Sequence, residues 1–166
     1  MTWASFWADF GPLIQTVAFV ISAVAAVAVI YHNGVLAKKR ALIDLIIQQR
    51  SDDQLSQATK TVFDLASAND KQLSAYVSPN GDEKHQEIRA AILKVLNNQE
   101  FVAVGIRLGA FDEKVYKELQ CSNVLKLWRA TSGFVCELRK QTNHNTIFQD
   151  LEKLAQRWEK APIKRI

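Results

Sequence analysis

The chain has 166 residues, of which 48% are hydrophobic and 23% charged, with a formal net charge of +4; this balance excludes general disorder and leaves no room for two independent catalytic domains. Three prolines and six glycines are too few for the many tight turns of an all-β sandwich or barrel, so helices are expected. The charge is unevenly placed, since the first basic side chain is Lys38 and the only acid before it is Asp9.

Residues 1–9 read as a short tail. Residues 10–31, FGPLIQTVAFVISAVAAVAVIY, carry no charge and only Gln15, Thr16 and Ser22 as polar side chains. At about 1.5 Å per residue this stretch reaches about 33 Å as a helix, against a bilayer hydrocarbon core of roughly 30 Å, and a helix satisfies its own backbone hydrogen bonds. A secretory signal would carry basic residues ahead of its apolar run, and none are present. A helix on the membrane surface would need a polar face, and a buried core helix would need more protein to wrap an apolar surface on all sides. The expectation is a transmembrane helix. Lys38, Lys39 and Arg40 follow it, and the positive-inside rule then sets the amino terminus outside and the remainder in the cytoplasm. Trp3 and Trp7 are expected at the outer interface, and Tyr31 and His32 at the inner one. Ala18, Ser22 and Ala26 recur every four residues, a small-residue strip suited to close helix packing and so to a homo-oligomer.

Residues 32–50 form a juxtamembrane segment in which Asn33 and Gly34 are expected to loosen the junction, the alternative being that residues 36–50 continue the membrane helix. Spacing over 36–50 places Leu42, Ile43, Ile46 and Ile47 on one side and Lys39, Arg40, Gln49 and Arg50 on another. Residues 51–166 then form a helical domain. Ser51-Asp52-Asp53-Gln54 has the capping-box pattern with Ser51 as the cap, opening a helix with Leu55, Ala58, Val62 and Leu65 inward and fraying near Asn69 and Asp70. The cluster SPNGD at 78–82 predicts a loop. From Asp82, Ile88, Ile92, Val95, Gln99, Val102 and Ile106 lie at helical spacing and predict a central helix that ends at a left-handed Gly109. Asp112 opens a short helix, DEKVYKELQ. A separate one is expected over Ser122–Lys140, with Val124, Leu127, Trp128, Phe134 or Val135, and Leu138 inward. The last is expected over Thr146–Lys160, capped by Thr146 and carrying Ile147, Leu151, Leu154 and Trp158 as core. The expected fold is thus all-α, with one transmembrane helix and a cytosolic domain of about five or six helices.

Signals for chemistry are sparse. His32, His85 and His144 share no helix face with another ligand, and Cys121 and Cys136 stand too far apart for a zinc ribbon, so no metal or other cofactor is expected. No GxSxG, Walker, GxGxxG or HExxH pattern occurs. Asp112 with Glu113 is the best carboxylate pair, and its simpler reading is a favourable pair of charges in the first turn of a helix. Glu100 interrupts a nearly apolar line, where partial burial would require a hydrogen-bond donor or a cation such as Arg107 or Arg129. The basic residues are dispersed apart from Lys38–Arg40, which faces lipid head groups, so nucleic acid is not an expected partner.

Residues 96–119, LNNQEFVAVGIRLGAFDEKVYKEL, resemble a bacterial and prophage-associated family, domain of unknown function 4760. The resemblance rests on Leu96-Asn97, Glu100-Phe101, Ala103, Gly105-Ile106, Gly109, Asp112-Glu113 and Tyr116. Trp128, Leu138-Arg139 and the segment from Phe148 to Trp158 with Leu154 and Arg157 extend it, as does LIDLIIQQRSD at 42–52; residues 67–84 lie outside it. The resemblance implies one amino-terminal span before a helical cytosolic domain, and no assigned reaction.

The expected function is that of a single-span membrane protein whose helical domain is a protein-interaction or regulatory module without catalysis, its partners being the bilayer and a protein or a second copy. A weaker binding surface is expected around Asn97, Glu100, Arg107, Asp112 and Glu113, where polar groups gather near a helix end. Two alternatives stand beside this reading. One is a membrane effector in phage defence or superinfection exclusion, implied only by the resemblance. The other is an enzyme using Glu100, Asp112 or Glu113.

Overall fold

A computed structural model describes residues 3–68 and 73–163, with side chains from residue 13 onward. It is all-helical among the described residues: α1 (Trp3–Ser51), α2 (Asp53–Ser67), a short 3-10 turn (Leu73–Tyr76), α3 (Glu83–Arg107), α4 (Glu113–Thr142) and α5 (Gln149–Lys160). The chain divides into two compact units between Lys38 and Lys39.

In the first unit α1 is a bare apolar rod. Its most apolar 18-residue stretch has a mean hydropathy of 2.5, and none of that stretch is buried. Phe19 is 75% exposed and Ile30 71%. Among the described residues this is the one helix long and apolar enough to cross a membrane. Residues 3–9, expected as a tail, belong to the helix. The helix also runs through Asn33 and Gly34 without a break, because a Cβ-less residue with open space around it costs only about 1 kcal/mol in a long helix and forces no kink. The side chains of Trp3 and Trp7, and the expected fraying at Asn69 and Asp70, lie outside the described residues.

The second unit is built on helix pairs. α2 packs on α3, the 3-10 turn packs on α4 and α3, and α5 packs on both α3 and α4. The stripes meet in one core in which Leu42, Val62, Ile92, Leu96, Val102, Phe134, Leu151 and Trp158 are fully enclosed. The end of α1 contributes Leu42 and Ile46, whereas Ile43 and Ile47 face outward at 42% and 57% exposure. The inward face of α1 is therefore Leu42-Ile46-Gln49, a regular helical step, and Gln49 belongs to it rather than to the basic side.

Caps settle the element boundaries. Asp52, not Ser51, caps α2, its carboxylate accepting from the Leu55 backbone N–H at 2.9 Å; Ser51 remains in α1 and donates to the Ile47 carbonyl. An ionised acceptor in extended conformation serves the first turn better than a hydroxyl still held by the preceding helix. Asp82 and Asp112 cap α3 and α4 in the same way through His85 and Val115. Gly109 takes the left-handed conformation, φ 70°, as expected. It turns the chain so that Ala110 and Phe111 both donate to the Gly105 carbonyl.

Two expected helices are one. α4 runs unbroken from Glu113 to Thr142 because no proline or glycine separates Gln120 from Ser122 and because Cys121, Val124, Leu127 and Thr131 continue a single buried stripe. Both Phe134 and Val135 are buried. α5 begins at Gln149 rather than Thr146. Phe148 occupies its cap position with φ 56° and supplies no side-chain hydrogen bond, while Thr146 only closes a turn through its carbonyl.

Candidate functional site

A cavity of about 330 Å³ opens where the carboxyl-terminal end of α1 meets α2, the middle of α3 and the first half of α4. Its apolar floor is Ile46, Leu55, Val95 and Leu127 with the ring of Phe63, and the Phe63 ring is half-buried beneath Lys126 Nζ, 4.8 Å from its centroid. Its polar wall is made of carboxamides. Gln49 Nε2 donates to Asn98 Oδ1 at 3.1 Å, joining α1 to α3, and Asn123 Nδ2 donates to Gln120 Oε1 at 2.9 Å within α4. Gln99 also lines it, and its Oε1 accepts from the Tyr116 hydroxyl at 2.8 Å. Arg50 stands at the rim, the one charged side chain of the lining.

These amides sit where they do because α3 and α4 carry polar residues at inward helical positions. Asn98 and Gln99 fall between Val95 and Val102 on the buried side of α3, and Gln120 lies one turn after the buried Tyr116. Burial pushes the Tyr116 phenol well above its ordinary value, and the hydrogen bond to Gln99 opposes that shift; the phenol therefore stays a donor. Sequence reading placed Gln99 in the stripe of α3 and did not single out Gln49, Asn98, Gln120 or Asn123. The available signal was the presence of amides, rather than charges, at inward positions of otherwise apolar faces.

The five residues expected to form a binding surface do not converge on this cavity. Asn97 is exposed. Glu100 is half-buried and among the described residues takes no cation: its two oxygens accept the backbone N–H groups of Asp150 at 3.2 Å and Leu151 at 2.7 Å. It thereby performs from α3 the capping that Phe148 leaves undone at the start of α5. Arg107 pairs with Asp150 at 2.8 Å and Arg129 with Glu159 at 2.9 Å, so neither of the cations expected beside Glu100 is its partner. Asp112 caps α4. Glu113 accepts from Trp158 Nε1 at 2.9 Å and pairs with Arg157 at 3.0 Å. Glu100 and Arg107 thus clamp α5 to α3, Glu113 clamps it to α4 and Asp112 sets the start of α4; none of the five lines the cavity.

The remaining expected positions are equally definite. In the first unit Ala18, Ser22 and Ala26 are exposed, and the Ser22 hydroxyl donates to the Ala18 carbonyl at 2.8 Å, closing its donor inside the helix. Tyr31 is 75% exposed, and Lys38, Lys39 and Arg40 are exposed. Cys121 is buried and Cys136 exposed, each a free thiol. Among the described residues no three His, Cys, Asp or Glu side chains gather to hold a metal. His85 is occupied by the loop it follows, its Nε2 lying 3.0 Å from the Ser78 carbonyl and its ring 5.1 Å from that of Tyr76.

The chain has no match among curated proteins and none among solved structures. One family model does match, over residues 12–158, a range that takes in the apolar rod, the amide-lined cavity and all of the α5 clamp up to Trp158. On that match the chain belongs to the family described as Domain of unknown function (DUF4760).

Proposed function

We propose that α1 anchors the protein in a bacterial cytoplasmic membrane with the amino terminus outside, and that the unit from Lys39 onward works in the cytoplasm as a protein-interaction or regulatory module rather than as a catalyst. The observation that carries this reading is the wholly exposed apolar stretch of α1. In water such a surface is unfavourable by about 25 cal/mol per Å², and a bilayer removes that cost. Lys38, Lys39 and Arg40, exposed at the end of the rod, favour the cytoplasmic side, where anionic lipid attracts each charge by about 1 kcal/mol.

The absence of catalysis in this reading is supported by the work the carboxylates already do. Glu100, Asp112 and Glu113 each hold backbone or side-chain donors that fix helix ends and the α5 contact. Spending them on acid–base chemistry would release those structural bonds. A second copy of the chain is the simplest protein partner, with Ala18, Ser22 and Ala26 offering a face on which two rods approach closely.

Two experiments test the reading. Alkaline carbonate extraction of membranes should leave the full chain in the pellet, and protease added to intact spheroplasts should leave the carboxyl-terminal unit protected. Extraction into the supernatant, or digestion of that unit from outside, overturns the anchor or its orientation respectively. Crosslinking in membranes followed by identification of the captured chains then tells self-association from a different protein partner.

A further inference from the structure

The amide-lined cavity has chemistry that the anchoring reading does not use. Gln49 and Asn98 spend one donor and one acceptor on each other, which leaves Gln49 Oε1 as an acceptor and Asn98 Nδ2 as a donor. Gln120 and Asn123 repeat the arrangement, leaving Gln120 Nε2 and Asn123 Oδ1. Gln99 adds a further pair of donors on Nε2, since only its oxygen is engaged by Tyr116. Such paired donor–acceptor edges complement planar ligands that carry the same alternation, as when a single Asn or Gln reads the edge of adenine with two hydrogen bonds.

The rest of the lining narrows the ligand further. The floor is apolar and includes the Phe63 ring, suited to the faces of a heterocycle. Among the described residues no acidic side chain lines the cavity, and the one charge in its lining is Arg50, exposed and without a side-chain partner. That absence of acids is wrong for a metal or a cationic ligand, and the amide wall is wrong for an acyl chain. A lone exposed arginine is also too little to hold an inorganic anion by itself. At about 330 Å³ the volume is near the lower end of pockets that enclose small organic ligands, which run from about 300 to 1,000 Å³.

From these features we infer that the cavity is a mononucleotide site, the base lying among the carboxamides and its phosphate reaching Arg50. Because α1 supplies Ile46, Gln49 and Arg50, ligand binding bears directly on the carboxyl-terminal end of that helix. This inference does not depend on which membrane holds α1 or on its direction.

The test uses the full chain in nanodiscs and equilibrium dialysis against AMP, GMP, CMP and UMP, each beside its nucleoside. The expected result is saturable binding of at least one mononucleotide at one per chain, tighter than its nucleoside by about tenfold, the worth of a charge-assisted contact to phosphate. Arg50→Ala should bring the nucleotide down to the level of the nucleoside. Ser56→Trp, at an exposed lining position, should fill the mouth and abolish binding of both while leaving thermal unfolding unchanged. Absence of saturable binding by any of the eight compounds to a cooperatively folded chain overturns the inference. So does binding that survives both Ser56→Trp and Asn98→Leu.

Discussion

Glu100 Oε2 accepts the backbone N–H of Leu151 at 2.7 Å, across 51 residues of chain. A helix leaves its first N–H groups without intrahelical partners, and the residue that caps them is normally the one just before the helix. Here that residue is Phe148, whose side chain has no acceptor, so the cap comes from another helix. Glu100→Ala should destabilise the folded unit by about 1–2 kcal/mol, and Glu100→Gln, which keeps one acceptor, should recover part of the loss. Urea unfolding of the full chain in detergent measures both. Equal stability of the wild type and Glu100→Ala would show that the cap contributes nothing.

The second prediction concerns the end of α3. The Phe111 ring lies against the Cα of Gly105, so that a Cβ at that position would overlap ring carbons, and it also packs edge-on against Phe101 at 6.0 Å. Gly105→Ala should cost about 1–3 kcal/mol by overpacking, despite alanine's better helix propensity. In Gly105→Ala/Phe111→Ala the clash is gone, so the two changes should be strongly non-additive in a double-mutant cycle. Additive losses would refute the contact.

Trp158 anchors α5. It is fully buried, its indole N–H is held by Glu113, and its ring packs 5.9 Å from that of Tyr116. Trp158→Ala should cost about 3–5 kcal/mol and Glu113→Ala about 1–3, the latter because a buried N–H loses its acceptor. Hydrogen exchange should then show the amides of α5 losing protection before those of α3. Uniform loss of protection across the unit would argue that α5 does not open separately.

A pH dependence follows from Tyr116. Burial raises its phenol above the ordinary value of about 10, so between the two values the folded chain holds a proton that the unfolded chain has lost. The proton count is then higher in the folded state and stability falls with rising pH. Its contribution is full below about pH 10 and is lost as pH climbs toward the folded value. Tyr116→Phe should therefore be less stable by about 1 kcal/mol at neutral pH, for the lost bond to Gln99, yet decline less steeply above pH 10. Parallel stability curves for the two proteins would contradict the burial effect.

A charge placed in the rod tests the anchor without touching the core. Val24 is 65% exposed in the middle of the apolar stretch, and an arginine at a helix centre costs about 2.5–3.5 kcal/mol on insertion scales. Val24→Arg should shift the protein from the carbonate-resistant membrane fraction toward the soluble or degraded one. The thermal unfolding of the second unit should be unaffected. Unchanged membrane retention would weaken the case for a spanning helix.

Some of this was written locally in the chain. The apolar rod needs no tertiary contact, since 22 uncharged residues declare their own solvent. The stripes of α2, α3 and α5 are legible for a related reason: Val62, Ile92, Leu151 and Trp158 recur at the helical period and each period points to one face. Gly109 was legible because a left-handed stop is a single-residue property. Asp82 and Asp112 were legible as the starts of α3 and α4, whereas the cap of α2 was legible in kind but not in position. Ser51 and Asp52 both fit a cap pattern, and the choice between them depended on where α1 let go of its last carbonyl.

What only the folded chain decided are matters of long-range partnership. Composition made Glu100 look like half of an ion pair, but the donors nearest to it in space are the open amides of α5, brought there by packing α5 on α3. Gln49, Asn98 and Gln120 carry no local mark of a site, because a carboxamide on a helix looks the same whether it faces water or a cavity; the packing of four helices brings them into one lining. Local physics thus determined which segments are helices and which of them is long and apolar enough to cross a membrane. Where an inward polar group finds its partner depended on the arrangement of helices, since a hydrogen bond acts only over about 3 Å and sequence distance says nothing about that separation.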